Sequence, residues 1–200
     1  KDFVIVGGKH NLEKIKKLPV NRNFDLQRIY HLVILPTVKE HFSVLDASIG
    51  SYVNSDYPKD KIIFVLATEA RVGQNAADTA GELTKKYGDK FFKFLVTTHP
   101  ADRVGEVIGK GSNVSWAAEK AAEFLTEQNI PFENVIVSAF DSDTTVTKNY
   151  FAHLTYDFLT ADKPYQCSYQ PMPMFHNNIW DTPAIARVIA TASSFWQMVE

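Results

Sequence analysis

Residues 135–150 read V-I-V-S-A-F-D-S-D-T-T-V-T-K-N-Y, an apolar run that delivers two aspartates, Asp141 and Asp143, at its end. Val135, Ile136, Val137, Ala139 and Phe140, bounded by polar residues, predict a buried strand. Ligands of open α/β sheets bind beyond the carboxyl ends of the strands, so two carboxylates fall at the expected mouth of a site. They lie two residues apart on an extended chain and lean to one side of the strand end. Hard oxygen ligands at this spacing suit Mg²⁺ or Mn²⁺ carrying a diphosphate. Asp and Ser are also ordinary turn residues, and a solvated turn accounts for the same tripeptide.

Working outward, the apolar spacing alternates between two periods. Tyr30–Leu35 (Y-H-L-V-I-L) predicts a central strand closed by Pro36, which lacks an N–H. A helix follows, with Phe42, Leu45, Ile49 and Val53 on one face. Lys61–Ala67 predicts a second strand, residues 74–87 a helix, and Phe91–Thr97 a third strand. A glycine-bearing loop then leads to a helix over 113–128, the Val135 strand, and a helix over 147–160. Tyr165–Met174 reads as a further strand whose prolines place it at an edge or bend, and a helical pattern starts at Asp181. Near the start, Phe3–Val6 is a short apolar run and Asn11–Leu18 has helical spacing. Alternation with short links predicts an α/β fold: a mostly parallel central sheet with helices on both faces. With 200 residues, no repeats and no low-complexity linker, one domain over 1–200 is expected. Within it, 1–29 is an N-terminal extension and 176–200 the start of a truncated C-terminal part.

The net charge of -2 gives no basic balance toward nucleic acid, and the lysines at 9–17 and 85–93 are interleaved with acids. One cysteine, Cys167, allows no internal disulfide and no cysteine metal site, which favours a reducing compartment. The expected location is cytoplasmic, or the cytoplasmic face of a membrane. The six histidines form no H-x-x-x-H pair and read as surface or satisfied core groups. No apolar run approaches the ~18 residues of a membrane span.

Three strand ends carry polar groups: Thr37 and Glu40, Glu69 and Arg71, Asp141 and Asp143. Parallel neighbours gather these at one sheet edge. Lys110, flanked by Gly109 and Gly111 in a loop before a helix start, adds a cation where N–H groups face an anion. Together they describe a pocket for a nucleoside diphosphate with a divalent ion. Singly, Glu40 also fits a helix-opening role, Glu69 and Arg71 a surface pair, and Lys110 a solvated lysine.

The run I34-L-P-T-V-K-E40, the strand ending near Glu69, G109-K-G-S-N-V-S-W-A117 and F140-D-S-D143 resemble the ordered motifs of family 2 glycosyltransferases, of Rossmann-like GT-A fold. The resemblance covers about residues 31 to 175. It implies a nucleotide-sugar donor, with UDP-sugar favoured, and an acceptor saccharide or lipid. It implies that Pro36, Thr37 and Glu40 lie against the nucleoside and that Lys110 approaches the base or diphosphate. Asp141 would face the ribose or metal, and Asp143 would ligate Mn²⁺ or Mg²⁺. The sequence also departs from the pattern. Ala67-Thr68-Glu69 stands where the family carries an aspartate motif, so Glu69 is a substitute for the base-reading acid. Ser115 stands where the lysine motif has asparagine, with Asn113 the nearer amide. No Glu-Asp pair occurs between Tyr150 and Glu200, and Asp181 reads as an N-cap, so the general base is expected outside the chain. The tail with Trp180, Phe195, Trp196 and Met198 resembles the interfacial helix of membrane-bound relatives, or a core helix missing its partner.

Two other readings stay open. F140-D-S-D-T-T145 also fits the D-x-D-x-T motif of haloacid-dehalogenase-type phosphatases, with Asp141 as nucleophile. The chain also reads as a non-catalytic fragment that binds nucleotide-sugar. A nucleotidyltransferase of similar fold would need a glycine-rich signature after Leu35, which is absent.

Overall fold

Two apolar runs become the centre of a parallel sheet. The computed structural model describes residues 2–3, 28–107, 109–171, 173–174, 183–185 and 187. In chain order its main elements are β1 (Asp2–Phe3), β2 (Tyr30–Pro36), α1 (Phe42–Val53), β3 (Ile62–Glu69) and α2 (Gln74–Tyr87). They continue with β4 (Lys93–His99), α3 (Lys110–Glu127), β5 (Val135–Ala139), β6 (Thr145–Val146), α4 (Tyr150–Thr160) and β7 (Pro173–Met174). The four-stranded sheet runs β4-β3-β2-β5, every pair parallel.

Burial explains the order. All of β3 is buried, as is β2 after Tyr30, while β4 and β5 alternate between buried and exposed. Strands covered on both faces need continuous apolar sequence, and strands at an edge do not. Within β2 and β3, alternate residues face opposite layers. Val33, Leu35, Phe64 and Leu66 pack with α1, α2 and α4. Leu32, Ile34, Val65 and Ala67 pack with α3. The α3 side is narrow because the helix presents Asn113, Ala117, Ala121 and Leu125, one residue per turn, and alanines let it approach closely. The opposite layer is aromatic. Phe64 stacks on Phe91 and Phe94 at 5.3 and 5.2 Å, and Tyr52 on Phe140 at 5.6 Å.

The fold class and all four parallel strands agree with expectation. Two expectations shift. Lys110 is the first residue of α3 and not part of the preceding loop, because the Gly109 carbonyl accepts the Asn113 N–H at 3.2 Å. The expected strand over Tyr165–Met174 does not form along its length. Pro164–Gln166 is a 3-10 turn, and among the described residues of this segment only Pro173–Met174 is strand. That piece pairs antiparallel with β1, which pairs parallel with β6. The expected helix over Asn11–Leu18, the apolar tail and Asp181 lie outside the described residues. Among the described residues, no helix is long and apolar enough to cross a membrane.

Candidate functional site

All four parallel strands end on the same edge of the sheet, so their C-terminal residues meet there. Pro36 stands beside Ala67 and Glu69 beside His99 in register, and β5 delivers Phe140 and Asp141 next to β2. Phe140 N–H closes the last rung on the Ile34 carbonyl at 3.1 Å.

The turn after β2 is organised by Glu40. Its Oε2 accepts the Thr37 hydroxyl at 2.8 Å and the N–H groups of Val38 and Lys39 at 2.7 and 3.0 Å. Partial burial works against the charge. The Val38 N–H, the Thr37 hydroxyl and the Ser142 side chain outweigh it and hold the Glu40 carboxyl below the ordinary range. Ser142, on the Asp141–Asp143 turn, thus helps to stabilise the Glu40 carboxylate. Pro36 and Thr37 are buried beneath, and Thr37 N–H donates to the Ala67 carbonyl at 2.8 Å. A cavity of about 540 Å³ lies on the α2 side of Glu40, walled by Phe42, Leu66, Val72 and Asn75.

Glu69 is not part of a surface pair. Its side chain is 4% exposed, Arg71 Nε binds its Oε2, and its Oε1 has no hydrogen-bond partner among the described residues. A buried carboxylate oxygen without a donor is an open acceptor, since leaving it unpaired is costly. His99, Pro100, Gly109 and Ser112 surround this point. His99 Nε2 lies 2.7 Å from Glu106 Oε2. Arg103 holds Glu106 and Glu119 at 3.0 and 3.3 Å and covers the Trp116 ring at 5.0 Å. Those contacts anchor the loop leading to α3, whose Val104 and Val107 are 98% and 88% exposed.

Lys110 reaches from the first turn of α3 to Asp141 Oδ1. The turn that carries Asp141 is clamped from below. Thr144 N–H returns to the Asp141 carbonyl at 2.9 Å. Ser48 and Tyr52 hydroxyls donate to the Thr144 carbonyl at 2.5 and 3.0 Å, and Val146 N–H donates to Ser51 Oγ at 3.0 Å. Burial drives the Tyr52 phenol well above its usual pKa, so it stays a donor. Asp143 is exposed on the same turn. A groove of about 650 Å³ runs from Asp141 along β5, walled on its far side by Tyr165, Cys167 and Tyr169.

Expected site residues thus converge: Thr37, Glu40, Lys110 and Asp141 share one side of the sheet edge, with Asp143 beside Asp141 and Glu69 one strand over. Sequence reasoning passed over two contributors and noted a third, Asn113, only as the amide nearer to Lys110. His99 ends its strand run as Glu69 ends its own, and that parallel was the available signal. Ser142, between the two aspartates, helps to lower the Glu40 pKa. Asn113 lies one turn before Ala117 on the buried stripe of α3, and its Nδ2 donates to the Ala67 carbonyl at 2.9 Å.

For a divalent ion, the described residues hold no group of three or more His, Cys, Asp or Glu side chains. Asp141 and Asp143 offer hard oxygens on one turn. A Mg²⁺-type ion keeps several waters and shares the phosphates of its substrate, so one or two carboxylates fit it. Such an ion would be held by Asp141 and Asp143.

No family model matches the sequence, and no curated protein matches it. Among solved structures, the chain is similar to S. aureus TarS 1-349, at 19% identity and TM-score 0.47, over 66% of this chain and 32% of that one. The same TarS piece in complex with UDP-GlcNAc is similar at 19% identity and TM-score 0.44, over 66% and 31%. The mannosyltransferase PcManGT from Pyrobaculum calidifontis in complex with GDP-Man and Mn²⁺ is similar at 17% identity and TM-score 0.48, over 76% and 38%. The chain spans well under half the length of these proteins.

Proposed function

We propose that this chain is the donor-binding part of an inverting, family 2 type glycosyltransferase of GT-A fold. It would take a sugar nucleotide and present the sugar to the hydroxyl of an acceptor saccharide or lipid. The observation that carries the reading is the tie between the first turn of α3 and the Asp141–Asp143 turn, where Lys110 bonds Asp141. Anion-binding and cation-binding groups then face each other across one sheet edge, as a metal-bridged diphosphate requires.

In this reading Pro36, Thr37 and Glu40 lie against the nucleoside and shape its floor. Glu69 Oε1 accepts an N–H from the base edge. One open oxygen matches the single ring N–H of uracil, and guanine, with two adjacent donors, would want both. Lys110 meets the diphosphate, Asp141 the ribose or metal, and Asp143 the metal. The bound Mn²⁺ or Mg²⁺ would supply charge stabilisation for the departing diphosphate. The residues of the chain bind and orient. None of those assigned here is the general base.

Calorimetric titration of UDP and GDP, with and without Mn²⁺, tests this against the chain and its Asp143→Ala variant. The expected result is Mn²⁺-dependent UDP binding that the variant loses. Absence of binding to either nucleotide, with phosphate release from a generic phosphomonoester, would replace this reading with the phosphatase one.

A further inference from the structure

Lys110 and the divalent ion want the same oxygen. Resting on the donor-site reading, we infer that Lys110 is a competitor of the divalent ion at Asp141 and that the diphosphate removes it. Binding of the ion and of the diphosphate is thereby coupled.

The two partners differ in freedom. Asp141 is held by its backbone, through the Phe140 rung on Ile34 and the Thr144 return bond at 2.9 Å. Its turn is also clamped by Ser48 and Tyr52 of α1. The Lys110 backbone is fixed as well, because Asn113 in the same turn of α3 is bonded to β3. The Lys110 side chain is different: it is 56% exposed on a four-carbon stem, so its ammonium swings over a far wider range than the short carboxylate arm of Asp141. Without nucleotide, a divalent ion arriving at Asp141 meets a positive charge already on the Oδ1 atom. A diphosphate placed at the start of α3 offers that ammonium more negative charge than one carboxylate does, and it also faces the first-turn N–H groups. Lys110 transfers to the phosphate, and Asp141 turns its full charge to the ion. The free ion and free nucleotide then each bind more weakly than either does in the presence of the other, by one shared factor.

The size of the effect follows from exposure. An ion pair this accessible to water shifts a competing equilibrium by roughly two- to five-fold. The test is Mn²⁺ affinity of the 200-residue chain, read by water-proton relaxation and calorimetry, with no turnover involved. Lys110→Met is compared with Lys39→Met, which removes the same charge from an exposed neighbour on the Glu40 turn. The expected result is that Lys110→Met tightens Mn²⁺ alone by about two- to five-fold and Lys39→Met by less than about two-fold. Saturating UDP should tighten Mn²⁺ on the native chain, uridine should not, and the gain should shrink in Lys110→Met. Unchanged or weaker Mn²⁺ binding in Lys110→Met, or an equal gain in Lys39→Met, overturns the competition. Failure of every form to bind UDP, with the Mn²⁺ difference intact, instead overturns the donor-site reading and the diphosphate half of the coupling.

Discussion

Asn113 donates its side-chain amide to the carbonyl oxygen of Ala67 at 2.9 Å, and so fastens the first turn of α3 to the end of β3. The same oxygen accepts Thr37 N–H at 2.8 Å, which makes it the meeting point of three elements that shape the site. Asn113 is 1% exposed, and its removal costs a buried hydrogen bond while leaving the Ala67 carbonyl with Thr37 N–H alone. Asn113→Ala should lower stability by about 0.5–1.5 kcal/mol in urea unfolding and weaken UDP binding as Lys110 loses its mount. Asn113→Asp should be worse, because it sets a carboxylate oxygen against a carbonyl. Equal UDP affinity in Asn113→Ala would show that α3 is positioned by its alanine stripe alone.

His31 predicts how the fold responds to acid. It is fully buried between Tyr57 and Phe151, with ring centroids 4.6 and 4.9 Å away. Thr155 gives its hydroxyl proton to the Phe151 carbonyl at 2.8 Å, so it accepts from His31 Nε2–H at 2.8 Å. His31 Nδ1 then carries no proton and has no partner among the described residues. Burial pushes the imidazole pKa down to about 3. The unfolded chain therefore binds this proton first, near pH 6.5, and the folded chain only near 3. The neutral-histidine contribution is complete above pH 6.5 and falls by about 1.4 kcal/mol per pH unit below it. Urea midpoints for the native chain and His31→Gln, measured from pH 7.5 to 4.5, should show a shallower slope in the variant. Parallel slopes would assign the acid loss to other groups.

Glu69 predicts base selectivity. Glu69→Gln keeps the shape but replaces a charged acceptor with a neutral one that also presents an amide donor. UDP affinity should fall by about ten-fold, the lower end of the worth of a hydrogen bond to a charged group. Binding of inorganic diphosphate should stay unchanged, since nothing at the Lys110 end is altered. Competition titrations with both ligands separate the two, and a parallel loss would place Glu69 outside base recognition.

Tyr52 links core packing to the site. Its ring stacks on Phe140 and its hydroxyl donates to the Thr144 carbonyl at 3.0 Å. Tyr52→Phe keeps the ring and the Ser48 bond to the same carbonyl, so stability should fall by only about 1 kcal/mol. Mn²⁺-dependent UDP binding should weaken more than binding without the ion, because the Thr144 carbonyl under the Asp141–Asp143 turn loses one of its two hydroxyl donors. Equal weakening in both conditions would mean the Ser48 bond suffices to hold the turn.

The layers of the fold were legible because the central strands need uninterrupted apolar sequence and the helices a 3.6-residue stripe. Hence Tyr30–Leu35 and Lys61–Ala67 identified themselves, whereas the Val135 run, expected to be buried, forms an edge strand of the four-stranded sheet with Val137 58% exposed. Tyr165–Met174 misled because alternating residues with prolines suit an edge strand and an irregular wall equally well. Here the segment wraps past β5 as the far wall of a groove. Asp141, Lys110, Glu40 and Glu69 were legible as charges at strand and helix ends. Their partnerships were not. That Glu40 spends one oxygen on its own turn, that Arg71 takes one oxygen of Glu69 and that Lys110 reaches Asp141 depend on three-dimensional proximity that no spacing encodes. Asn113 was visible only as an amide near a lysine. Its place on the buried stripe, four residues before Ala117, was the overlooked clue.

The clamp on the Asp141–Asp143 turn also has a bearing on the order in which the molecule assembles. The hydrogen bonds of Thr144 and Val146 to Ser48, Tyr52 and Ser51 join residues 96, 92 and 95 positions apart, and the Lys110 contact spans 31. Contacts of such long sequence separation form late, after the loops between them have closed. Neighbouring residues alone leave this turn without its supports; α1 and α3 must first be seated on the sheet. A spectroscopic probe on the turn would then report the long-range closure that also pairs β2 with β5, and not the formation of any local segment.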